Sequence, residues 1–333
     1  MKRKSVTLCL LIALLILLCA CKTNIKPVKS HADELRSVAL VNEKTVSYEE
    51  VRYLTLNFKK DMALKYGEGI WDDPTSAEKY RNELESKVFD AIKKYPVLSE
   101  MLEKYEIDVS DKEISEYVKN YINDFADSLG GKDEYLRQLD ENGMTDHYLR
   151  YMLSLEACRE KLRQALCTDG TIDDSDGAAR AAIKSDEFIR TLHIYISNDS
   201  GDDVEENRRR AEEALALLDA GEKLTTLIGR YSEDFYMTTT DGYYFTRGEY
   251  EKAYEDAAFA LSVGEHSGVV EGETGFYIIM RLEKDVNYIE KNFDTLKEQY
   301  LYVQFDNILS EAEKNAVLTL TEYGKTLDIL KIN

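Results

Sequence analysis

The stretch between residues 188 and 283 constrains the fold most, because short apolar runs of strand length alternate there with helical patterns, one of which ends at Gly221. The predicted elements are, in order, a strand at Ile189–Ile196, a helix at Glu205–Ala220, a short helical turn at Leu224–Ile228, a helix at Tyr254–Leu261 and a strand at Gly275–Leu282. Two strands with interspersed helices are typical of a small mixed α+β domain with one sheet.

Several residue runs lie at fixed places along these elements, and a lone histidine, His193, lies on the first strand. The runs are Tyr231–Asp234, Phe245–Gly248, Tyr254–Leu261, Gly264–Glu265 and Gly275–Ile279. In that order and at that spacing, they resemble the parvulin family of peptidyl-prolyl isomerases. The resemblance covers about a third of the chain and implies a parvulin-like α+β domain at residues 184–286.

The resemblance also implies the catalytic residues. His193 matches the family's histidine on the first strand, Asp234 matches the position of an Asp or Cys, and Thr274 matches that of a hydroxyl. Tyr277 falls where parvulins normally have a second histidine. A tyrosine can still donate and accept a hydrogen bond, so this substitution leaves open an altered network at the same place.

For substrate binding, the resemblance implies that Phe245, Tyr250 and Tyr254 hold the proline ring of the client. Two further positions depart from the family. Thr240–Tyr243 stands where Gly-Asp-Leu-Gly is expected, and Gly272 stands where a threonine is usual. The plainer alternatives are that His193 only satisfies buried polar groups and that Asp234 only caps a turn.

The chemistry implied is rotation about an X–Pro bond, which faces a barrier of about 18–20 kcal/mol. Binding the twisted amide better than either planar form lowers that barrier without a nucleophile or a metal, so no cofactor is expected. A metal site is equally unsupported by the histidines, since none has a second ligand at helical spacing. They are His31, His147, His193 and His266.

The N-terminus has the pattern of a bacterial lipoprotein signal peptide. Lys2, Arg3 and Lys4 precede an apolar run from Val6 to Ala20 that leads into Cys21. We therefore predict a signal peptide at residues 1–20, lipidation of Cys21 and a tether at residues 21–36. The alternative is an uncleaved anchor helix, although the run is short of the ~20 residues that a span needs. In both cases the remaining chain is extracytoplasmic and attached to the bacterial cell membrane.

The chain is acidic, with 43 Lys and Arg against 64 Asp and Glu and a net charge of −21. Such a surface repels nucleic acid and anionic lipid headgroups, so we expect no nucleic-acid partner and membrane attachment through the lipid alone. Basic or unfolded clients suit this charge, but so does plain solubility. Of the mature cysteines, Cys158 and Cys167 are nine positions apart on or near one predicted helix, and we interpret both as incidental.

Outside the parvulin-like segment the chain is predicted to be nearly all helix. Ser37–Val46 predicts a strand, a turn and a short strand, and Ser47 is typical of the N-cap of the next helix. Leu84–Tyr105 predicts one long amphipathic helix that Pro96 kinks, and Ser110 with Glu113 predicts a capping box. Two more predicted helices lie at Asp133–Glu141 and Thr145–Leu166.

This succession of elements, with the Ile107–Ile114 junction, resembles the N-terminal chaperone region of SurA-type and PrsA-type foldases. The resemblance implies a discontinuous helical chaperone domain at residues 37–183, to which residues 287–333 return. In the returning part we predict a helix at Phe293–Leu320 and a strand at Leu327–Ile332 beside Val38–Val41. The fold class expected is α+β, with the parvulin-like domain inserted in a mostly helical domain.

Three functions remain open. The first is a lipid-anchored foldase that isomerises prolines in newly exported or unfolded polypeptides. The second is a holdase whose parvulin-like domain binds clients without turnover, which Tyr277 favours. The third is a membrane-surface scaffold for one dedicated partner. The sequence also leaves open whether the chain forms a homodimer.

Overall fold

The computed structural model describes residues 31–198 and 203–333, and the predicted signal peptide, the lipidation site Cys21 and most of the tether lie outside these residues. The chain divides into two compact units. The first extends up to Ala165 and resumes at Leu309–Asn333, and the second comprises Leu166–Ile308. The predicted fold class, a discontinuous helical domain with an inserted α+β domain, is confirmed. The finer boundaries predicted after residues 183 and 286 stay predictions.

The first unit is built from helices around one small sheet. Its strands are β1 (Ser37–Val41), β2 (Lys44–Ser47) and β7 (Leu318–Leu320). Its helices are α1 (His31–Glu34), α2 (Tyr48–Tyr66), α3 (Pro74–Ala91), α4 (Lys94–Lys104), α5 (Lys112–Leu129), α6 (Lys132–Glu141), most of α7 (Asp146–Thr168) and α14 (Glu322–Thr326), with 3-10 turns at Glu68–Trp71 and Ile329–Lys331. The apolar faces of β1, α2 and α3 meet in its core.

The strand order in this sheet is β2-β1-β7, and β7 pairs antiparallel with β1 so that Ala39 faces Leu320. The prediction of a strand at Leu327–Ile332 is therefore wrong, since that segment holds a 3-10 turn instead. The apolar character of this segment has another cause, since Ile329 and Ile332 pack into the core. The predicted helix at Phe293–Leu320 ends earlier, at Asn315, and leaves β7 free to pair.

Two predicted helix features are also corrected. The long helix predicted at Leu84–Tyr105 is two helices, and Pro96 lies in the first turn of α4 rather than at a kink. A proline is tolerated there because the first backbone N–H groups of a helix have no helical acceptor. Asp111, not Ser110, caps α5, and its carboxylate accepts the N–H of Glu113 at 2.8 Å.

The start of α2 agrees with the predicted cap at Ser47. Oε1 of Glu50 accepts both the backbone N–H and the hydroxyl of Ser47, each at 3.0 Å. We expect Ser47→Ala to lower the free energy of unfolding of the first unit by about 1 kcal/mol. Trp71 is the single tryptophan of the chain, so its fluorescence during urea unfolding measures this. Ser110→Ala is the matched control, and an equal loss there would contradict a specific cap.

The second unit contains the sheet that carries the site. Its strands are β3 (Phe188–Ser197), β4 (Tyr243–Thr246), β5 (Val270–Glu271) and β6 (Gly275–Leu282). Its helices are α8 (Asp176–Lys184), α9 (Val204–Asp219), α10 (Leu224–Tyr231), α11 (Lys252–Ala260), α12 (Val286–Lys291) and most of α13 (Phe293–Asn315). The strands lie in the order β4-β3-β6-β5, with every neighbouring pair antiparallel.

The side chains of strand β3 alternate between the two faces of this sheet. Successive side chains of a strand point to opposite faces, so Leu192, Ile194 and Ile196 share one face and pack with α9 and α10. Thr191, His193 and Tyr195 take the alternate positions. On β6, Tyr277 lies directly opposite Tyr195. The central strand therefore packs one face into a hydrophobic core. Its other face carries the polar side chains of Thr191, His193 and Tyr195, which form part of the site described below.

Candidate active site

His193 is the centre of the candidate site and is almost fully buried, at 3% exposure. Its Nδ1 lies 2.9 Å from the hydroxyl of Tyr254, and its Nε2 lies 3.1 Å from Oδ2 of Asp234. The hydroxyl of Tyr254 is in turn 2.9 Å from Oγ1 of Thr191. The imidazole thus joins a carboxylate to a tyrosine hydroxyl, and both ring nitrogens have a partner.

Asp234 reaches His193 from the loop after α10. The loop is fixed to β3, because the N–H of Glu233 donates to the carbonyl of Tyr195 at 2.8 Å. Oδ1 of Asp234 accepts the N–H of Tyr236 at 2.9 Å. The hydrogen bond from His193 is the main reason that the pKa of Asp234 falls to about 2. Asp234 is therefore a carboxylate at neutral pH.

Tyr243, at the start of β4, belongs to this network and was missed from the sequence. Its hydroxyl donates to Oδ2 of Asp234 at 2.8 Å, and burial together with that carboxylate raises the pKa of Tyr243. Gly242 before it has a φ of +64°, and a side chain there would collide with the carbonyl oxygen of Thr191. The departure from the family at Thr240–Tyr243 marked this segment as unusual but did not indicate a contact with Asp234.

The three residues predicted to bind the proline ring lie together but differ in exposure. Phe245 and Tyr254 are fully buried, so in this structure they form the wall behind the site. Tyr250 is half-buried, stacks on Tyr254 with ring centroids 4.9 Å apart and contacts Phe245 at 4.7 Å. Of the three, Tyr250 is the ring that a client can reach directly.

Tyr277 lies beside the imidazole, with its ring centroid 5.7 Å from that of His193, and stacks on Tyr195 at 4.8 Å. Its hydroxyl is within hydrogen-bonding reach of Thr274 and Glu251, and burial raises the pKa of Tyr277. Thr274 is exposed at the rim, where the hydroxyl of Tyr195 lies 3.1 Å from its Oγ1. Thr274 and Tyr277 thus adjoin the site, but Tyr277 makes a ring contact with His193 rather than a hydrogen bond.

Gly272 explains how a tyrosine fits at position 277. A Cβ atom on residue 272 would lie 2.7 Å from Cε2 of Tyr277 and would also collide with the carboxylate of Glu251. The threonine that the family usually has there is incompatible with both neighbours in these positions. The two departures from the family pattern, Gly272 and Tyr277, are therefore one structural change.

Two carboxylates hold the loop that carries Tyr250, that of the buried Glu255 and that of the half-buried Glu249. Glu255 accepts the backbone N–H groups of residues 248, 249 and 250 at 2.7, 2.9 and 3.0 Å. Glu249 accepts the N–H of Thr246 at 2.6 Å and a hydrogen bond from Gln299. Burial raises the pKa of Glu249 to about 7.

This raised pKa predicts a pH dependence of stability. A carboxyl group whose pKa is higher in the folded state stabilises the fold below its unfolded pKa, and the contribution is lost as pH rises through about 7. We expect the second unit to lose roughly 2 kcal/mol between pH 5 and pH 8 through this group. Glu249→Gln should flatten that part of the profile, as measured by hydrogen exchange of β3 and β6. An unchanged profile in the variant would contradict this role.

Three further findings concern membrane spans, metal sites and disulfides among the described residues. Within residues 31–198 and 203–333, no helix is both long and apolar enough to cross a membrane, and no cluster of three or more metal-ligating side chains occurs. Neither Cys158 nor Cys167 forms a disulfide.

Comparison with known families matches both units. The model of the SurA-like N-terminal domain matches residues 1–163, and that of the PPIC-type peptidyl-prolyl isomerase domain matches residues 193–283. The second match begins at His193 and spans every predicted catalytic residue. The fold and site thus define a parvulin-type isomerase domain joined to a SurA-like chaperone domain. The chain thus carries the two domains of the PrsA- and SurA-like parvulin foldases, to which it is similar.

Individual relatives cover much of the chain. It is 27% identical to the foldase protein PrsA of Geobacillus sp. over 68% of this chain and 74% of that protein. It is 23% identical to PrsA of Caldanaerobacter subterraneus over 89% of each. The solution structure of NmPin, the parvulin of Nitrosopumilus maritimus, is 34% identical and is covered over 97% of its length by 29% of this chain, with a TM-score of 0.24. These similarities support a foldase or chaperone role.

Proposed function

We propose that this protein is a peptidyl-prolyl cis-trans isomerase and chaperone for exported polypeptides. The observation that carries the proposal is the imidazole of His193, which bridges the Asp234 carboxylate and the Tyr254 hydroxyl below the accessible ring of Tyr250. Binding of a twisted prolyl amide requires fixed polar groups next to aromatic side chains that hold the proline ring, and this site has both.

In the proposed mechanism the client proline packs against Tyr250, and its amide lies over Asp234. A carboxylate near the prolyl carbonyl disfavours the planar resonance form, because that form places negative charge on the carbonyl oxygen. Burial keeps the hydroxyl of Tyr277 protonated, so it can donate to the prolyl nitrogen as the amide twists. No bond other than the rotating C–N bond changes, so the residues act by positioning and charge alone.

The proposal places the chain outside the cytoplasm, anchored to the cell membrane through lipid on Cys21. It is supported by the apolar run from Val6 to Ala20 before that cysteine. The clients proposed are newly exported, unfolded polypeptides that contain proline. A net charge of −21 favours basic segments of such clients and keeps the anchored protein away from nucleic acid.

A second candidate function is a holdase that binds prolines without turning them over. The paired departures at Gly272 and Tyr277 favour it, because a tyrosine ring in contact with His193 replaces the second histidine of the family. In that case the same site binds the client but does not bind the twisted amide better than the planar forms.

Exchange NMR of proline peptides with the full chain and with Tyr277→His separates the two functions. We expect the parent to accelerate cis-to-trans exchange, which would support the isomerase. Peptide binding without acceleration by the parent, with acceleration restored in Tyr277→His, would overturn it in favour of the holdase. Absence of both binding and acceleration would contradict both functions.

A further inference from the structure

Two aromatic side chains next to the candidate active site stand almost entirely in solvent. Phe235 is 88% exposed and Tyr236 is 92% exposed, the highest values for large apolar side chains among the described residues. They follow Asp234 directly in the chain. Two neighbouring rings in water do not gain the free energy of burial, and exposed apolar patches of this kind mark binding surfaces.

The loop that presents these rings is held at both ends. The N–H of Tyr236 donates to the Asp234 carboxylate at 2.9 Å, and Met237 is buried in the core beneath the sheet. Arg190 donates to the carbonyls of Thr240 and Asp241 at 2.5 and 2.8 Å. The two rings are therefore presented from a fixed backbone, which lowers the entropy lost when they bind something.

The rings are within reach of a client bound at the site. Consecutive Cα atoms are about 3.8 Å apart, so both residues begin within roughly 8 Å of the Cα atom of Asp234. An extended client chain advances about 3.3–3.6 Å per residue. A client whose prolyl amide lies at Asp234 therefore places the side chains one or two positions away at the distance of Phe235 and Tyr236.

The charge around the rings restricts which side chains fit. Between residues 231 and 242 the loop carries Glu233, Asp234 and Asp241 and no lysine or arginine, while Arg210 pairs with Glu233 at 2.9 Å and Arg190 binds two carbonyls at the far end of the loop. An acidic client residue is repelled by the neighbouring Asp234 carboxylate, whereas an apolar ring or branched chain gains contact area with both aromatic side chains.

We propose that Phe235 and Tyr236 form a specificity subsite that binds an aliphatic or aromatic client side chain within about two residues of the proline. The subsite rests on the proposed function, in that a client peptide occupies the candidate active site. It adds to that function a preference for apolar client side chains near the proline, which the predicted catalytic residues do not supply.

The test uses two series of fluorescent pentapeptides with one central proline, in which the residue before or after it is Gly, Glu, Leu or Phe. Affinity is measured by anisotropy with the full chain, the double variant Phe235→Ser/Tyr236→Ser and Val286→Ser. Val286 is 61% exposed in the same unit but outside the loop, so it controls for loss of exposed apolar surface. We expect the parent to favour Leu and Phe over Gly by about tenfold in at least one series.

In the double variant we expect this preference to disappear while affinity for the Gly peptide stays unchanged, and in Val286→Ser we expect it to persist. Retained preference, or an equal loss for all peptides, would overturn the subsite and leave the proposed function intact. If the parent binds no proline peptide, the proposed function fails and the subsite fails with it. Sedimentation of both chains covers one further outcome: a parent dimer that the double variant abolishes, with unaltered peptide preference, would assign the rings to a contact between copies and overturn the proposal.

Discussion

His193→Ala should reduce the rate of prolyl isomerisation by the full chain at least about a hundredfold. In the described site the imidazole hydrogen-bonds to both Asp234 and Tyr254, at 3.1 and 2.9 Å. Without it, the carboxylate keeps its bond from Tyr243 but loses the partner that chiefly holds its pKa near 2. Both the position of the carboxylate under the amide and the position of the Tyr254 ring would then change. Exchange NMR on a proline peptide measures the rate.

His266→Ala is the matched control for this variant. His266 lies in the same unit, half-buried, with its Nε2 3.5 Å from a carboxylate oxygen of Asp219, and it does not contact the site network. Its removal should leave the rate unchanged. Hydrogen exchange of β3 in His193→Ala shows whether the fold persists. A folded His193→Ala protein with the parental rate would contradict a catalytic role for the imidazole.

The sequence resemblance named two residues that the structure brings into contact, and their catalytic role stays a prediction. The resemblance placed His193 and Asp234 about forty positions apart in the chain, and strand β3 with its attached loop brings them into contact. Thr191 and Tyr195 were not predicted, although they lie two positions on either side of His193. The alternation of a strand puts such residues on one face, so this signal was available.

Other parts of the fold and site depend on tertiary packing, which local sequence patterns do not predict. Tyr243 enters the network because β4 pairs with β3, and a four-residue strand has no periodicity to reveal it. The three-residue strand β7 was missed for the same reason, whereas the more apolar segment at Leu327–Ile332 was mistaken for a strand. The absence of a side chain at Gly272 makes room for the ring of Tyr277, and this relation is recognised only from the distance between the two residues in the structure.

The second large effect concerns the loop that carries Tyr250, because one buried side chain, Glu255, accepts three of its backbone N–H groups. Glu255→Ala should lower the free energy of unfolding of the second unit by about 3 kcal/mol, because three backbone N–H groups lose a charged acceptor. Hydrogen exchange of β3 and β6 measures the loss. Glu255→Gln keeps an acceptor oxygen and should lose less, while Asp256→Ala removes the adjacent exposed carboxylate and should leave exchange unchanged. If Ala and Gln at position 255 behave alike, the charge rather than the hydrogen bonds holds the loop; if neither differs from the parent, the loop does not depend on this carboxylate.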